Sequence, residues 1–446
     1  MAHKKFISFL GTNNYVQVKY GSAEEKPTRF IQEHLIDKLC KDWDNDDQIL
    51  IFYTKESRAH NWENNGHPEQ SVKEDIERIG LGQILKNKKE NGLKPKIIER
   101  QIAEGFSEEE VWSIFDTVYK ELRENDEIYF DVTHAFRSIP LFSTILFNFS
   151  RFTRKTKLCG IYYGAFEKLG PAFKVREIPL EERIAPVIDL TSIINLQDLT
   201  NTASGIKQYG KTSSVELLIK KATNNLEKTK ANNRFTEALK TIKECTSDLD
   251  HFILANRMKD IEEGKFVKDF NAVINKSIQS DNLNNAEREI FKTLKDLFSN
   301  FKPEKNTDNI EAAIEWAYKY DMLPQAYTLA EEYIISLCCI KLNDYAKEFN
   351  KEKDIRTFVS GTLQIKKEDI DSGNLKNELK DHDDVFHKII KYNWITGLRP
   401  AFKKLADNRN IINHAKKGNY KDLHNQFRNY YDDCIAILKN MTNHAY

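Results

Sequence analysis

No stretch of this chain approaches the roughly 18 consecutive apolar residues of a membrane-spanning helix. Its start, MAHKKFISFLG, has neither the long apolar core nor the cleavage pattern of a secretion signal. Cysteine is sparse, and Cys40, Cys159, Cys245, Cys338, Cys339 and Cys434 form no C-x-x-C pair and no zinc-finger spacing. That points to a reduced, cytoplasmic chain with no membrane association. An excess of one charge is missing too: 68 Lys and Arg balance 68 Asp and Glu, so a polyanion has to be met by a local patch. The fingerprint G-x-G-x-x-G is absent after the first apolar run, which disfavours a nicotinamide enzyme. There is no tandem repeat.

What is present falls into two halves. With 446 residues and 40% hydrophobic content the chain can bury sizeable cores, and its length favours two or three domains. Through about residue 180 short apolar runs alternate with helical patterns. KFISFLG (5–11), QILIFYT (48–54), PKIIERQI (95–102), DEIYFDVTH (126–134) and KLCGIYYG (157–164) read as strands. SEEEVWSIFDTVYKELREN opens on a serine and acidic residues like a capped helix. The alternation predicts an α/β, Rossmann-like parallel sheet with helices on both faces. PAFKVREIPL (171–180), after a Gly-Pro turn, is expected to return as an antiparallel strand beside 157–164. Beyond about residue 190 the pattern is all helical: VELLIKKATNNLEKTKANNRFTEALKTIKECTSDLDHFI, AEREIFKTLKDLF and IEAAIEWAYKYDM carry i, i+3, i+4 apolar spacing. SIQSDNLNN and NFKPEKNTDN read as interhelical loops.

In an open α/β sheet, ligands lie beyond the carboxyl ends of the strands where strand order switches. FLGTNNY leaves the first strand with Gly11 for a tight turn, Thr12, Asn13 and Asn14 as hydrogen-bonding groups, and Tyr15 as a stacking surface. DVTHAFRSIP leaves the fourth strand with Thr133, His134, Ala135, Phe136, Arg137 and Ser138, ahead of a helix whose start is marked by Ser138 and Pro140. These groups suit a ligand bearing phosphates and bases. Each loop alone is equally well explained as ordinary turn chemistry. The following helix, LFSTILFNFSRF, is apolar on nearly every side, more than one sheet face covers, and a partner chain would cover the rest.

Near the other end, DNRNIINHAKKG (407–418) sets Asn410 and His414 four apart on one helix face, with Asn413 and Lys417 close by, while Ile411, Ile412 and Ala415 turn toward a core. Arg409 lies five before His414, roughly 140° around the helix, so its side chain must wrap to the imidazole or act alongside a second copy. Imidazole exchanges a proton near neutral pH, guanidinium holds charge on a phosphoryl group, and Asn orients either. Those are the parts needed for metal-free RNA cleavage by attack of the ribose 2′-OH on phosphorus, leaving a 2′,3′-cyclic phosphate and a 5′-OH. An isolated R-x4-H match is otherwise commonplace on a surface helix.

Taken in order, DVTHAFRSIP at the fourth strand, LPQAYTLAEEYI (323–334) and RNIINH near the end resemble the CRISPR-associated ribonucleases that join a CARF sensor to a HEPN effector. The resemblance covers most of the chain in layout and is specific at these three segments. It implies a CARF-like Rossmann sensor over 1–190, a helical connecting region over 191–310 and an all-α HEPN-like ribonuclease domain over 311–446. It further implies a homodimer that binds a cyclic oligoadenylate from a type III CRISPR complex and then degrades single-stranded RNA. On the likeness alone, cyclic tetra-adenylate is favoured, with cyclic hexa-adenylate next. The catalytic motif carries over to Arg409 and His414 with Asn410 between, and the ligand loops to Gly11–Tyr15 and Thr133–Ser138. No metal or cofactor is implied beyond the activator. His134 departs from what the pattern requires; it contacts ligand, caps the strand end, or assists a slow cleavage of the activator by the sensor itself.

Other segments carry less. HDDVFHK has neither H-E-x-x-H nor two imidazoles at i, i+4, and reads as a solvated helix start. Trp43, Trp62, Trp112, Trp316 and Trp394 are scattered as core or interface anchors. SRAHNWENNGHPEQ (57–70) reads as a long polar loop from which Arg58, His60 and Trp62 reach a ligand, or as a plain surface loop. Two other function classes share these features: a nucleotide-sensing regulator or adaptor without nuclease activity, and a HEPN toxin-like RNase that ignores cyclic activators.

Overall fold

The computed structural model describes residues 2–67, 78–134, 139–210, 240, 244, 247–279, 283–414 and 419–440. The chain divides into two units, Met1–Asn195 and Leu196–Tyr446.

In the first unit, strands β1 (Lys4–Leu10), β3 (Gln48–Tyr53), β4 (Lys96–Gln101), β5 (Glu127–Asp131), β6 (Lys157–Gly164) and β8 (Val187–Asp189) form one sheet in the order β4-β3-β1-β5-β6-β8. All its pairings are parallel except β6 with β8. Helices α1 (Ile31–Leu39), α2 (Leu81–Glu90), α3 (Glu108–Glu121) and α4 (Ile139–Arg154) separate the strands. Parity along β1 shows why its sequence is nearly all apolar. Phe6 and Leu10 join a core with Ile31, Leu35 and Leu85, while Ile7 and Phe9 join another with Ile114, Phe130 and Leu146. A sheet buried on both faces leaves little place for polar alternation. The Ser107 hydroxyl accepts from Glu110 N at 3.2 Å, and the Glu110 carboxylate accepts from Gly105 N and Phe106 N, so α3 starts where the serine and acidic run place it. Lys5, at the start of β1, pairs with Asp126 at 2.9 Å with both side chains out of water, and burial pulls the lysine below its ordinary value.

The expected strand at 171–180 is not one. Ala172–Val175 is a short helix and Leu180–Glu182 a 3-10 turn. Pro171 and Pro179 have no N–H for a ladder, and the Pro171 carbonyl instead accepts from Lys174 N and Val175 N. The antiparallel edge does exist, further on, as β8 paired with Tyr162–Gly164. Two short strands, β2 (Lys19–Tyr20) and β7 (Ile184–Ala185), pair in parallel apart from the main sheet.

Every element of the second unit is helical among the described residues. α5 (Thr191–Tyr209) leads into it, followed by α6 (Lys265–Ile278), α7 (Asn285–Leu297), α8 (Asp308–Lys319), α9 (Leu323–Lys341), α10 (Glu352–Gln364), α11 (Asn393–Asn413) and α12 (Tyr420–Asn440), with shorter turns between. One apolar core runs from Leu199 to Leu438. The expected helix over 215–253 lies largely outside the described residues. No helix among the described residues is long and apolar enough to cross a membrane.

Candidate functional site

Strand order reverses around β1: β3 and β4 lie on one side, β5 and β6 on the other. The chain leaves the carboxyl ends of β1 and β5 side by side, and both loops enter one cavity of about 360 Å³. Gly11, Asn13, Asn14, Tyr15, Thr133 and His134 all line it. Thr12 is not among the lining residues, and Ala135, Phe136, Arg137 and Ser138 lie outside the described residues.

The floor is fixed by a buried polar chain. Asp131, at the end of β5, accepts from Ser8 Oγ at 2.7 Å and from Thr133 N at 3.0 Å, and Gln32 Nε2 donates to the same serine hydroxyl at 3.1 Å. Burial raises the Asp131 carboxyl, and these hydrogen bonds oppose that shift. Thr133 Oγ1 accepts from Gly164 N at 2.8 Å, tying the loop to β6.

Tyr15 is buried, not an open platform. Its hydroxyl accepts from Gly11 N at 2.9 Å, and its ring stacks on His134 with centroids 4.1 Å apart. A Cβ at position 11 would sit 2.7 Å from the Tyr15 hydroxyl and 3.3 Å from the His134 carbonyl, so glycine is required there by close approach. Burial pushes the His134 imidazole down to about 3, and its Nε2 has no hydrogen-bond partner among the described residues. A neutral ring with an unmatched nitrogen therefore borders the cavity.

The outer wall contains residues that the sequence reading missed. Tyr20, Phe166, Glu167 and Arg176 also line the cavity. Asn61, 4% exposed, donates through Nδ2 to the carbonyls of Gly11 at 2.8 Å and Asn13 at 2.9 Å. Arg78 donates to Asn14 Oδ1 at 2.7 Å and to the Tyr15 carbonyl at 3.1 Å. The segment after β3 begins as a helix, Lys55–Ser57, and continues as a π-helical turn, Arg58–Trp62. That turn aims Asn61 at the Gly11–Tyr15 loop. Arg58 pairs with Glu63 at 3.1 Å and Trp62 packs on Tyr53, and neither these two nor His60 lines the cavity.

In the second unit, Arg409 and Asn410 lie in the last turn of α11 and His414 caps it, its N–H bonded to the Asn410 carbonyl at 3.1 Å. His414 is exposed and Asn410 half-buried, while Ile411 and Ile412 pack against the core. Ala415 and Lys417 lie outside the described residues. Arg409 turns to α9: Nε donates to Glu331 Oε2 at 2.7 Å and Nη2 to Oε1 at 2.8 Å. This pair raises the guanidinium above its ordinary value. Among the described residues, no hydrogen bond joins Arg409 to His414. Beside Arg409 opens a cavity of about 1080 Å³ that Glu331, Glu332, Ser336 and Arg356 also line; Asn410 and His414 do not. Asn408, 8% exposed, secures the helix by donating to Tyr327 Oη at 3.1 Å and Gln426 Oε1 at 3.0 Å.

Around HDDVFHK, Asp383–Ile389 is helical and His387 meets Asp383 at 3.3 Å, while His382 packs on Phe349. Trp43 and Trp316 are core residues, and Trp112 is 58% exposed. No group of three His, Cys, Asp or Glu side chains among the described residues is arranged to hold a metal ion.

No family model matches the chain. Over 242 residues it is 31% identical to CRISPR-associated protein MJ1674 of Methanocaldococcus jannaschii, covering 52% of this chain and 35% of that protein. The chain thus matches about a third of the length of that curated relative. Among solved structures it is similar to Enterococcus italicus Csm6 bound to cyclic hexa-2′-fluoro-hexa-dAMP, with a TM-score of 0.47, 13% identity, and coverage of 99% of this chain and 94% of that one.

Proposed function

We propose that the chain is a CARF and HEPN ribonuclease of type III CRISPR defence, acting in the cytoplasm as a homodimer that a cyclic oligoadenylate switches on. The observation that carries this reading is the convergence of Gly11–Tyr15 and Thr133–His134 on one cavity at the switch point of the sheet, in a chain that also sets Arg409 and His414 at the end of one helix. The sequence similarity to a CRISPR-associated protein supports it.

The cavity is lined by the amide side chains of Asn13 and Asn14, by Arg176 and by a neutral imidazole, a mixture that meets phosphates and adenine edges. In the second unit, single-stranded RNA is cleaved without a metal. An imidazole, His414, takes the proton of a ribose 2′-OH as its oxygen bonds to the adjacent phosphorus. Arg409 holds the charge building on the phosphoryl oxygens, and the P–O5′ bond breaks. The 5′-oxygen receives a proton, from the His414 of a second copy if the sites pair across a two-fold axis. Products carry a 2′,3′-cyclic phosphate and a 5′-OH.

The test is cleavage of a labelled single-stranded RNA by the purified chain with cyclic tri-, tetra- and hexa-adenylate in turn. One ring should stimulate cleavage, His414→Ala should abolish it while still binding that ring, and a chelator should leave the rate within about threefold. Cleavage equal without any ring would favour a toxin-like RNase, and binding with no cleavage a nucleotide-responsive adaptor. Loss of activity in chelator with rescue by a divalent ion would overturn the mechanism.

A further inference from the structure

The Arg409 pair differs from the carboxylate pairs of Arg257, Arg356 and Arg428 in one respect. The carboxylates facing those three arginines, Asp260, Glu332, Glu315 and Asp432, are 37% to 63% exposed, whereas the Glu331 side chain is 2% exposed. A carboxylate kept from water is costly unless its charge is matched, so the Glu331 charge is committed to Arg409. The contact is also two-pronged. Both Glu331 oxygens are engaged, by Nε and Nη2, which fixes the plane of the guanidinium as well as its position. Nη1 has no hydrogen-bond acceptor among the described residues, and the arginine borders the 1080 Å³ cavity. One edge of the guanidinium is thus held by Glu331, while the arginine side chain keeps 30% of its surface exposed.

Both supports of this geometry are packed and hydrogen-bonded. Glu331 sits mid-way along α9 between the buried residues Ala330 and Tyr333. The neighbouring Asn408 bolts the last turns of α11 to the same helix through Tyr327, whose hydroxyl donates to the Leu423 carbonyl at 2.7 Å. An arginine on four rotatable bonds otherwise spends most of its time out of position, and a misplacement of about 1 Å costs on the order of a hundredfold in rate.

We infer that Glu331 is the positioning residue of the nuclease site: it holds Arg409 by its Nε–Nη2 edge so that Nη1 is presented to the phosphoryl group of RNA. This rests on the reading of Arg409 as the phosphoryl-stabilising group. Glu331 itself does not touch substrate.

The experiment is a cycle of four full-length proteins, the parent, Glu331→Gln, Arg409→Ala and the double variant. Each is assayed on a labelled single-stranded RNA with cyclic tetra-adenylate and with cyclic hexa-adenylate, using circular dichroism and melting to verify folding. Glu331→Gln keeps the size and one acceptor, and is expected to lower kcat about 10- to 100-fold with KM for RNA within about threefold. In the Arg409→Ala background the same change should alter the residual rate by less than about twofold, because there is no guanidinium left to aim. Glu331→Asp, if Glu331→Gln does not fold, should show the same dependence on Arg409. A Glu331 variant that cleaves like the parent, or one that lowers the Arg409→Ala rate by the factor it lowers the parent's, overturns the inference while leaving the ribonuclease reading in place. A parent that cleaves no RNA, or an Arg409→Ala protein as fast as the parent, overturns both.

Discussion

At the scale of single residues, the cavity of the first unit is defined by His134. Its ring lies on Tyr15 and its imidazole is pushed down to about 3 from an ordinary 6.5 by burial. A base with a depressed folded value binds fewer protons in the fold than in the unfolded chain throughout that window. Its contribution is therefore intact above about pH 6.5 and is lost as pH falls toward 3, by up to about 1.4 kcal/mol per unit. Asp131, raised by burial above its ordinary 3.8, acts with the opposite sign, losing stability as pH rises through its folded value. His134→Phe keeps the ring on Tyr15 and removes the titration. The parent's melting temperature should fall more steeply between pH 6.5 and 4 than the variant's. Parallel slopes would mean that His134 is solvated in the fold. The residue types at this site were legible because Gly11, Asn13, Tyr15, Thr133 and His134 directly follow apolar runs that had to be strands. Their supports were not. Asn61 reaches Gly11 from 50 residues away, Arg78 reaches Asn14 from 64, and Glu331 reaches Arg409 from 78. Glu331 was visible only as a carboxylate set among apolar neighbours in LPQAYTLAEEYI, a position where an unpaired charge has no business.

At the scale of elements, periodicity identified the strands that are covered on both faces and the helix that starts at Ser107, since both signals are local. It failed at 171–180, where alternating apolar residues between two prolines look like a strand but no ladder accepts them. α4 shows a different kind of legibility. Its excess of apolar residues is real: Phe142, Leu146 and Phe147 are buried against the sheet, while Ile145, Phe149 and Phe152 are 59%, 43% and 88% exposed. Burying each such side chain is worth roughly 1.5–3 kcal/mol, enough for three of them to matter to association but not to decide it alone. The same helix on a second copy is the covering that the homodimer reading supplies. Ile145→Glu with Phe152→Glu should leave the fold intact and shift the protein from dimer to monomer in sedimentation velocity at micromolar concentration. A parent that sediments as a monomer, or a variant that remains a dimer, would assign that face to something else.

At the scale of the whole molecule, the proposed function assigns a nucleotide to the cavity of one unit and cleavage to the Arg–His helix end of the other, and a switch then requires that they be coupled. A ligand shifts such an equilibrium only as far as its affinity differs between the resting and active arrangements. A cyclic oligoadenylate is itself symmetric, so a ring on a two-fold axis presents the same phosphates and bases to two copies of Gly11–Tyr15 and Thr133–Ser138. Two consequences separate this arrangement from independent sites. Calorimetry should find one ring per two chains. Changes in the cavity should act on the amount of activator needed and not on the chemistry, because the nuclease groups are untouched once the active arrangement is reached. Asn13→Ala removes a side chain that lines the cavity, and Arg137→Ala removes the one guanidinium of the Thr133–Ser138 loop. Each should raise the half-maximal activator concentration by about tenfold, the equivalent of 1.4 kcal/mol of lost ring contacts, with kcat at saturation within about twofold of the parent. A variant with lowered kcat and an unchanged activator requirement would place that residue in the transmission between units instead of the pocket, and one ring per chain would end the shared-site arrangement.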